Sequence, residues 1–162
     1  MRNKDLPGSI GAATSLVILL AAGCGIGEPS TTIDEEEAQK KVDNYLSEAF
    51  SVLPPSAEPE VKIDFRSATC GEPSSDPVGR VTVSKSYWAR ELPVEDNKKN
   101  AELLLDHWLE NNYEIMHDSR PDEISIKVEN KGDSFRMAVS EYPDGDLAVT
   151  AISNCIWKNG TP

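Results

Sequence analysis

Apolar and polar positions along the chain alternate in two ways, with a helical spacing in two stretches and a strand spacing in six. Ala38, Val42, Tyr45, Leu46, Ala49 and Leu53 recur at intervals of three and four, which places them on one face of a helix. Thr32-Ile33-Asp34-Glu35 precedes them with capping-box spacing. Thr32 is expected to accept a bond from the Glu35 backbone N–H while Glu35 reaches back. The acidic residues 34–37 sit at the end of the helix where its dipole favours negative charge. Glu36–Lys40 and Glu37–Lys41 are i,i+4 pairs in the favourable order. Pro54-Pro55 ends this helix. A second helix starts near Pro93, with Ala101, Leu104, Leu105, Trp108 and Leu109 as its apolar face and Asn111-Asn112 as a left-handed cap.

Between the helices, Val61, Ile63 and Phe65 alternate with Lys62, Asp64 and Arg66, the pattern of a half-buried strand. Val81 and Val83 alternate in a second strand that runs towards Tyr87-Trp88. Four strands follow the second helix: Tyr113 to His117, then Ile124, Ile126 and Val128, then Phe135, Met137 and Val139, then Leu147, Val149 and Ala151. Asn130-Lys131-Gly132-Asp133 and Pro143-Asp144-Gly145-Asp146 are turn sequences that join them. Tight turns imply antiparallel pairing. The expected fold is α+β, with element order α-β-β-α-β-β-β-β. An antiparallel sheet of about six strands is covered by two amphipathic helices, in one domain spanning 32–162.

The N-terminus has a different character. Arg2 and Lys4 form a positive region, and an apolar run of 13 residues follows from Ile10 to Ala22. About 20 apolar residues are needed to span a bilayer, so this run has the length of a signal-peptide core. It leads into Leu20-Ala21-Ala22-Gly23-Cys24. This sequence resembles the lipobox of bacterial lipoproteins, with leucine four residues before the cysteine instead of the usual three. The resemblance implies cleavage of residues 1–23 and a diacylglyceryl group on Cys24. Two acyl chains on one residue give stable anchoring. Residues 24–31 then form a short tether, and the expected location is the outer face of the cell membrane.

Charge sharpens this picture. The whole chain holds 16 Lys plus Arg against 28 Asp plus Glu, a formal charge of −12. Cleavage would remove Arg2, Lys4 and Asp5 and leave −13. Such a body lacks the basic surface that nucleic acid requires. Anionic headgroups would repel it, so it is expected to stand off the bilayer on its tether.

The three cysteines are Cys24, Cys70 and Cys155. With Cys24 consumed by lipid, Cys70 and Cys155 remain as a pair in an oxidising compartment. A disulfide between them closes a loop of 84 residues. The alternative is two free thiols; their separation and the lack of nearby histidine spacing make a poor zinc signature.

A second resemblance covers roughly the last 75 residues. It rests on Ser86-Tyr87-Trp88, on Trp108 with Asn111-Asn112-Tyr113, on Arg120-Pro121, on Val128-Glu129-Asn130, on 133–137 and on 155–162. These residues resemble a group of secreted lipoproteins of actinobacteria. The resemblance implies compartment and single-domain form, and it implies no activity.

Candidate chemistry is sparse. Gly132-Asp133-Ser134-Phe135 is superficially similar to the serine block of GDSL hydrolases, but no histidine follows His117. His107 lies on the second helix. His117 ends a strand beside Asp118, where a base or metal site with Asp118 or Asp122 would need spacing that no known motif supplies. Asp144-Gly145-Asp146 lacks the ligand count of a calcium loop. Tyr87 and Trp88, being adjacent in a strand, face opposite sides. Trp157 lies beyond the disulfide, placed to cover an open edge of the core. Packing is the expected role of the aromatics, with a sugar or peptide platform as the alternative. No catalytic residue, metal ligand or cofactor is expected. The reading is a non-catalytic binding or interaction module. Its partners are the membrane through Cys24 and an envelope protein or small ligand; an envelope hydrolase is the alternative.

Overall fold

A computed structural model describes residues 32–70 and 79–162. The signal segment, Cys24, the tether through residue 31 and most of the polar loop at 71–79 lie outside the described residues. The elements are α1 (Glu35–Val52), β1 (Glu58–Thr69), β2 (Arg80–Arg90), α2 (Asn97–Glu110) after a 3-10 turn at Val94–Asp96, β3 (Tyr113–Asp118), β4 (Ser125–Asn130), β5 (Arg136–Glu141), β6 (Leu147–Ile152) and β7 (Ile156–Trp157). All strands pair antiparallel in the order β1-β2-β6-β5-β4-β3. This is the two-layer α+β fold that the apolar patterns predict.

The helices share one face of the sheet. α1 buries Ala38, Val42, Leu46 and Ala49 over β2 and β6, while α2 buries Leu104, Leu105 and Trp108 over β3, β4 and β5. Beneath them lie Val83, Ile126, Val128, Met137, Val139, Val149 and Ala151, all fully or almost fully buried. Each strand presents these residues at every second position, so their burial fixes the register. Lys85 shares that face. Its ammonium reaches the Asp43 carboxylate at 2.9 Å and sits 4.2 Å from the Phe65 ring centre.

Four local expectations are corrected. The cap of α1 is Asp34, whose Oδ1 accepts from the Glu37 backbone N–H at 2.8 Å. Thr32 is occupied elsewhere, since its hydroxyl accepts from the Trp157 N–H at 2.7 Å. Lys40 pairs with Glu36 at 2.7 Å as expected, but Lys41 bonds Asp133 at 2.7 Å instead of Glu37. β1 is an edge strand and nearly all exposed, including Val61 and Ile63, and two irregularities in its register with β2 break the alternation, so that Val61 lies opposite Tyr87 and Ile63 opposite Ser86. Leu109 is exposed, and Asn97 and Asn100 are buried on α2 in its place.

A seventh strand, β7, pairs with β2 beyond the end of β6. The break between β6 and β7 is bridged by Ser153. Its N–H donates to the Val83 carbonyl, and its hydroxyl accepts from the Val83 N–H, both at 2.8 Å. Cys155 follows, joined to Cys70 in a disulfide with the Cα atoms 6.0 Å apart. The bond therefore ties the end of β1 to the β6–β7 connection. Trp157 is buried, as a cover for this edge of the core would be.

Asp133 pins the β4–β5 turn to α1. Its carboxylate accepts from Lys41 and from the Tyr45 hydroxyl at 2.7 Å each, and from the Phe135 N–H at 3.1 Å. Burial opposes the charge, but these bonds outweigh it and hold the carboxyl below its ordinary 3.8. A depressed carboxyl contributes stability above 3.8 and loses it as pH falls through the folded value. Asp133→Asn should cost about 1–2 kcal/mol at pH 7. The difference from wild type should shrink below pH 4 in urea melts run across pH.

Candidate binding face

The second face of the sheet has a different composition. Strand pairing places its side chains in cross-strand rows. One row runs His117, Lys127, Ala138, Thr150, Ser86 and Ile63. The next runs Glu129, Arg136, Ile152, Ser84 and Arg66. A third runs Ser125, Ser140, Ala148, Trp88 and Glu60. Among the described residues no helix lies over these rows, because both helices are engaged by the alternate positions. The central side chains are small and mostly polar. Ser86 is nonetheless shielded, its hydroxyl bonded to the Val149 carbonyl at 3.2 Å and lying 2.8 Å from the Thr150 hydroxyl.

One end of this face is aromatic. Trp88 and Tyr142 meet edge to face, with ring centres 4.9 Å apart at 81°. The Lys62 ammonium lies 3.6 Å from the Tyr142 ring centre and 4.4 Å from that of Trp88, and it also donates to the Tyr142 hydroxyl. Arg90 is held beside Trp88 by Glu60 and Asp146. As the adjacency in a strand requires, Tyr87 faces the other way and packs edge-on against Phe50 of α1. The Tyr87-Trp88 pair thus supplies one ring to the core side and one to the open face.

The other end is a groove of about 450 Å³. Met116, Ala138 and Ile152 give it apolar walls, Lys127 and Arg136 give it a basic rim, and His117 borders it. Arg136 donates to Glu129 at 2.8 Å. Lys127 is exposed and has no carboxylate within ion-pair distance among the described residues. Neither Lys127 nor Arg136 is a binding candidate by motif or spacing in the sequence. Their sequence signal is the run of alternate outward positions, but what they face depends on strand order.

His117 also borders a second hollow of about 500 Å³ with Asp118, Ser119, Arg120, Asp122 and Glu123. The partnership of His117 with Asp118 that a base or metal site would need does not form. Arg120 clamps Asp118 through both carboxylate oxygens, and this bond holds the carboxyl down at about 2. His117 Nε2 instead lies 2.6 Å from the Ser119 hydroxyl. That contact has the reach of a nucleophile and its base. Among the described residues no carboxylate bonds the other ring nitrogen to orient it. His107 is outside this hollow and lies 3.3 Å from the Asn111 amide.

The remaining candidates are turns. Ser134 occupies a left-handed position at φ 59°, between β4 and β5. The Asp144 carboxylate accepts from the Asp146 N–H, and Asp146 is spent on Arg90. Among the described residues no group of three or more His, Cys, Asp or Glu side chains is placed to hold a metal. No helix in that part of the chain is long and apolar enough to cross a membrane. Comparison of the chain with protein-family models, with curated proteins and with solved structures found no match.

Proposed function

We propose that this chain is a lipid-anchored cell-envelope protein whose open sheet face binds a ligand or partner without catalysis. The single observation that carries the binding role is that face. It is left bare by both helices, its middle is floored by small side chains, and it ends in an aromatic pair and a basic groove. A face lined this way can receive a partner without first displacing a helix. Anchoring rests on Leu20 to Cys24 and the apolar run before them. The acidic body and its tether would hold the face away from the headgroups.

The test has two parts. The native chain from the membrane fraction should begin at Cys24 and carry a diacylglyceryl group, and Cys24→Ser should release it. In the same cells, p-benzoylphenylalanine in place of Ser140 should give a photoadduct, and in place of Leu109, exposed on α2, it should not. A soluble unlipidated chain overturns the anchor. Adducts from position 109 and none from 140 overturn the binding face.

The His117–Ser119 contact favours a second reading, an envelope serine hydrolase with Ser119 as nucleophile and His117 as base. It lacks an orienting carboxylate among the described residues. Labelling of Ser119 by a fluorophosphonate, lost in His117→Ala, would establish that reading over the first.

A further inference from the structure

The basic groove departs from the charge of the chain around it. The chain is at −12, yet the groove is lined by Lys127 and Arg136 and, among the described residues, by no carboxylate, with Glu129 beside it as the strand partner of Arg136. Glu129 is already bonded to Arg136. The next carboxylate on this side, Glu114, pairs opposite Glu129 and leans to Lys131 at 3.9 Å. Lys127 is therefore the one unmatched charge in the groove among the described residues, and the groove's balance is one positive charge. The apolar part of the wall lies directly beside it. Ala138 is the cross-strand partner of Lys127, Ile152 is the partner of Arg136, and Met116 is exposed on the β3 edge.

We propose that this groove binds an amphipathic monoanion, a single-chain alkyl carboxylate of the fatty-acid type. The carboxylate sits on the Lys127 ammonium, and the chain lies over Ala138 towards Ile152. One unmatched cation balances one carboxylate; a phosphate head near its dianionic form would be left half neutralised. The groove is open on one side, and its volume is within the usual range for small-ligand sites. The apolar walls reward the chain for leaving water, and the charge sets its direction. The proposal rests on the binding-face reading and names the ligand class for one end of that face.

The test uses the full-length native protein in lipid nanodiscs and a 12-carbon carboxylic acid bearing a diazirine near its chain end. Photolabel should map to peptides of β5 or β6 at Ala138 or Ile152, and labelling confined to Met116 on β3 would overturn the proposed direction of the chain. Laurate should compete it away, and dodecyl phosphate or dodecanol should need at least tenfold higher concentration. Lys127→Glu should cut the labelling at least tenfold, and Lys158→Glu, an exposed lysine outside the groove, should not. Both lysines are exposed, so these variants should fold, and circular dichroism would check it. Ala138→Trp, which fills the groove, should abolish labelling by a separate route. Competition by dodecanol as effective as by laurate, or full labelling in Lys127→Glu, overturns the proposal. If labelling is absent while the Ser140 photoadduct forms, the carboxylate is wrong and the binding face stands. If both are absent, both fail.

Discussion

Replacing Cys70 and Cys155 together by serine should remove about 4–5 kcal/mol of stability. The bond closes a loop spanning 85 positions, and in the chain-entropy account a cross-link that long mainly restricts the unfolded chain. The location adds to the effect. Cys70 is buried at the end of β1, and its N–H donates to the Arg80 carbonyl at 3.1 Å. Cys155 sits where β6 gives way to β7. Without the bond, β1 keeps its ladder to β2 and the Lys62 contact to Tyr142, and the two-residue β7 keeps its pairing at Arg80 and Val81 and the Trp157 N–H bond to Thr32. A domain of this size has about 5–15 kcal/mol in total, so the serine variant should be close to unfolding at 37 °C. Guanidinium titration checks this. Wild-type protein under reductant should show the same midpoint as the double variant, and a loss below about 1 kcal/mol would show that the loop argument fails here. Hydrogen exchange should rise first in β1 and β7, the strands the bond holds.

The features that the sequence displayed clearly are those decided by neighbours along the chain. The 3.6-residue rhythm from Ala38 to Ala49 and the alternating valines and isoleucines of β2, β4, β5 and β6 report which side of each element is buried, and the helices and sheet follow from them. Misreadings arose where a distant group decided the outcome. Thr32 has the spacing of a cap, but the Trp157 N–H, from the far end of the chain, takes its hydroxyl. Lys41 has an i−4 glutamate, but Asp133 offers a carboxylate already fixed by two further donors. The alternation of Val61, Ile63 and Phe65 has the form of one buried face, but β1 is the sheet edge, and a bulge against β2 places Val61 opposite Tyr87 and Ile63 opposite Ser86, on different faces and both exposed. β7 is too short for any periodicity to show. The binding face is the extreme case. Ser84, Ser86, Ala138, Ser140, Ala148 and Thr150 are visibly the outward set of their strands. That Lys127 lies beside Ala138 and across from His117 follows only from the order β6-β5-β4-β3.

Trp108→Ala should cost about 3–5 kcal/mol, whereas Trp88→Ala should cost about 1–2 kcal/mol. The two side chains are chemically identical and lie on opposite sides of one sheet. Trp108 is 1% exposed on the inner side of α2, in the same buried cluster as Leu104, Phe135 and Met137. Truncating it leaves a cavity that a helix fixed at both ends cannot collapse to fill. Trp88 lies on the open face, half-buried, touching Tyr142 edge-on and the Lys62 ammonium. Its loss removes an aromatic contact and the cation–π contacts with Lys62 and Arg90, and water can enter the space. Urea unfolding of both variants, with matched slopes, measures the difference. A gap of at least about 2 kcal/mol means that the helix-covered face holds the fold and the open face contributes little to it, so the fold leaves that surface free for a ligand. Equal costs would mean that Trp88 belongs to a second core, and the binding-face reading would then lose the observation on which it stands.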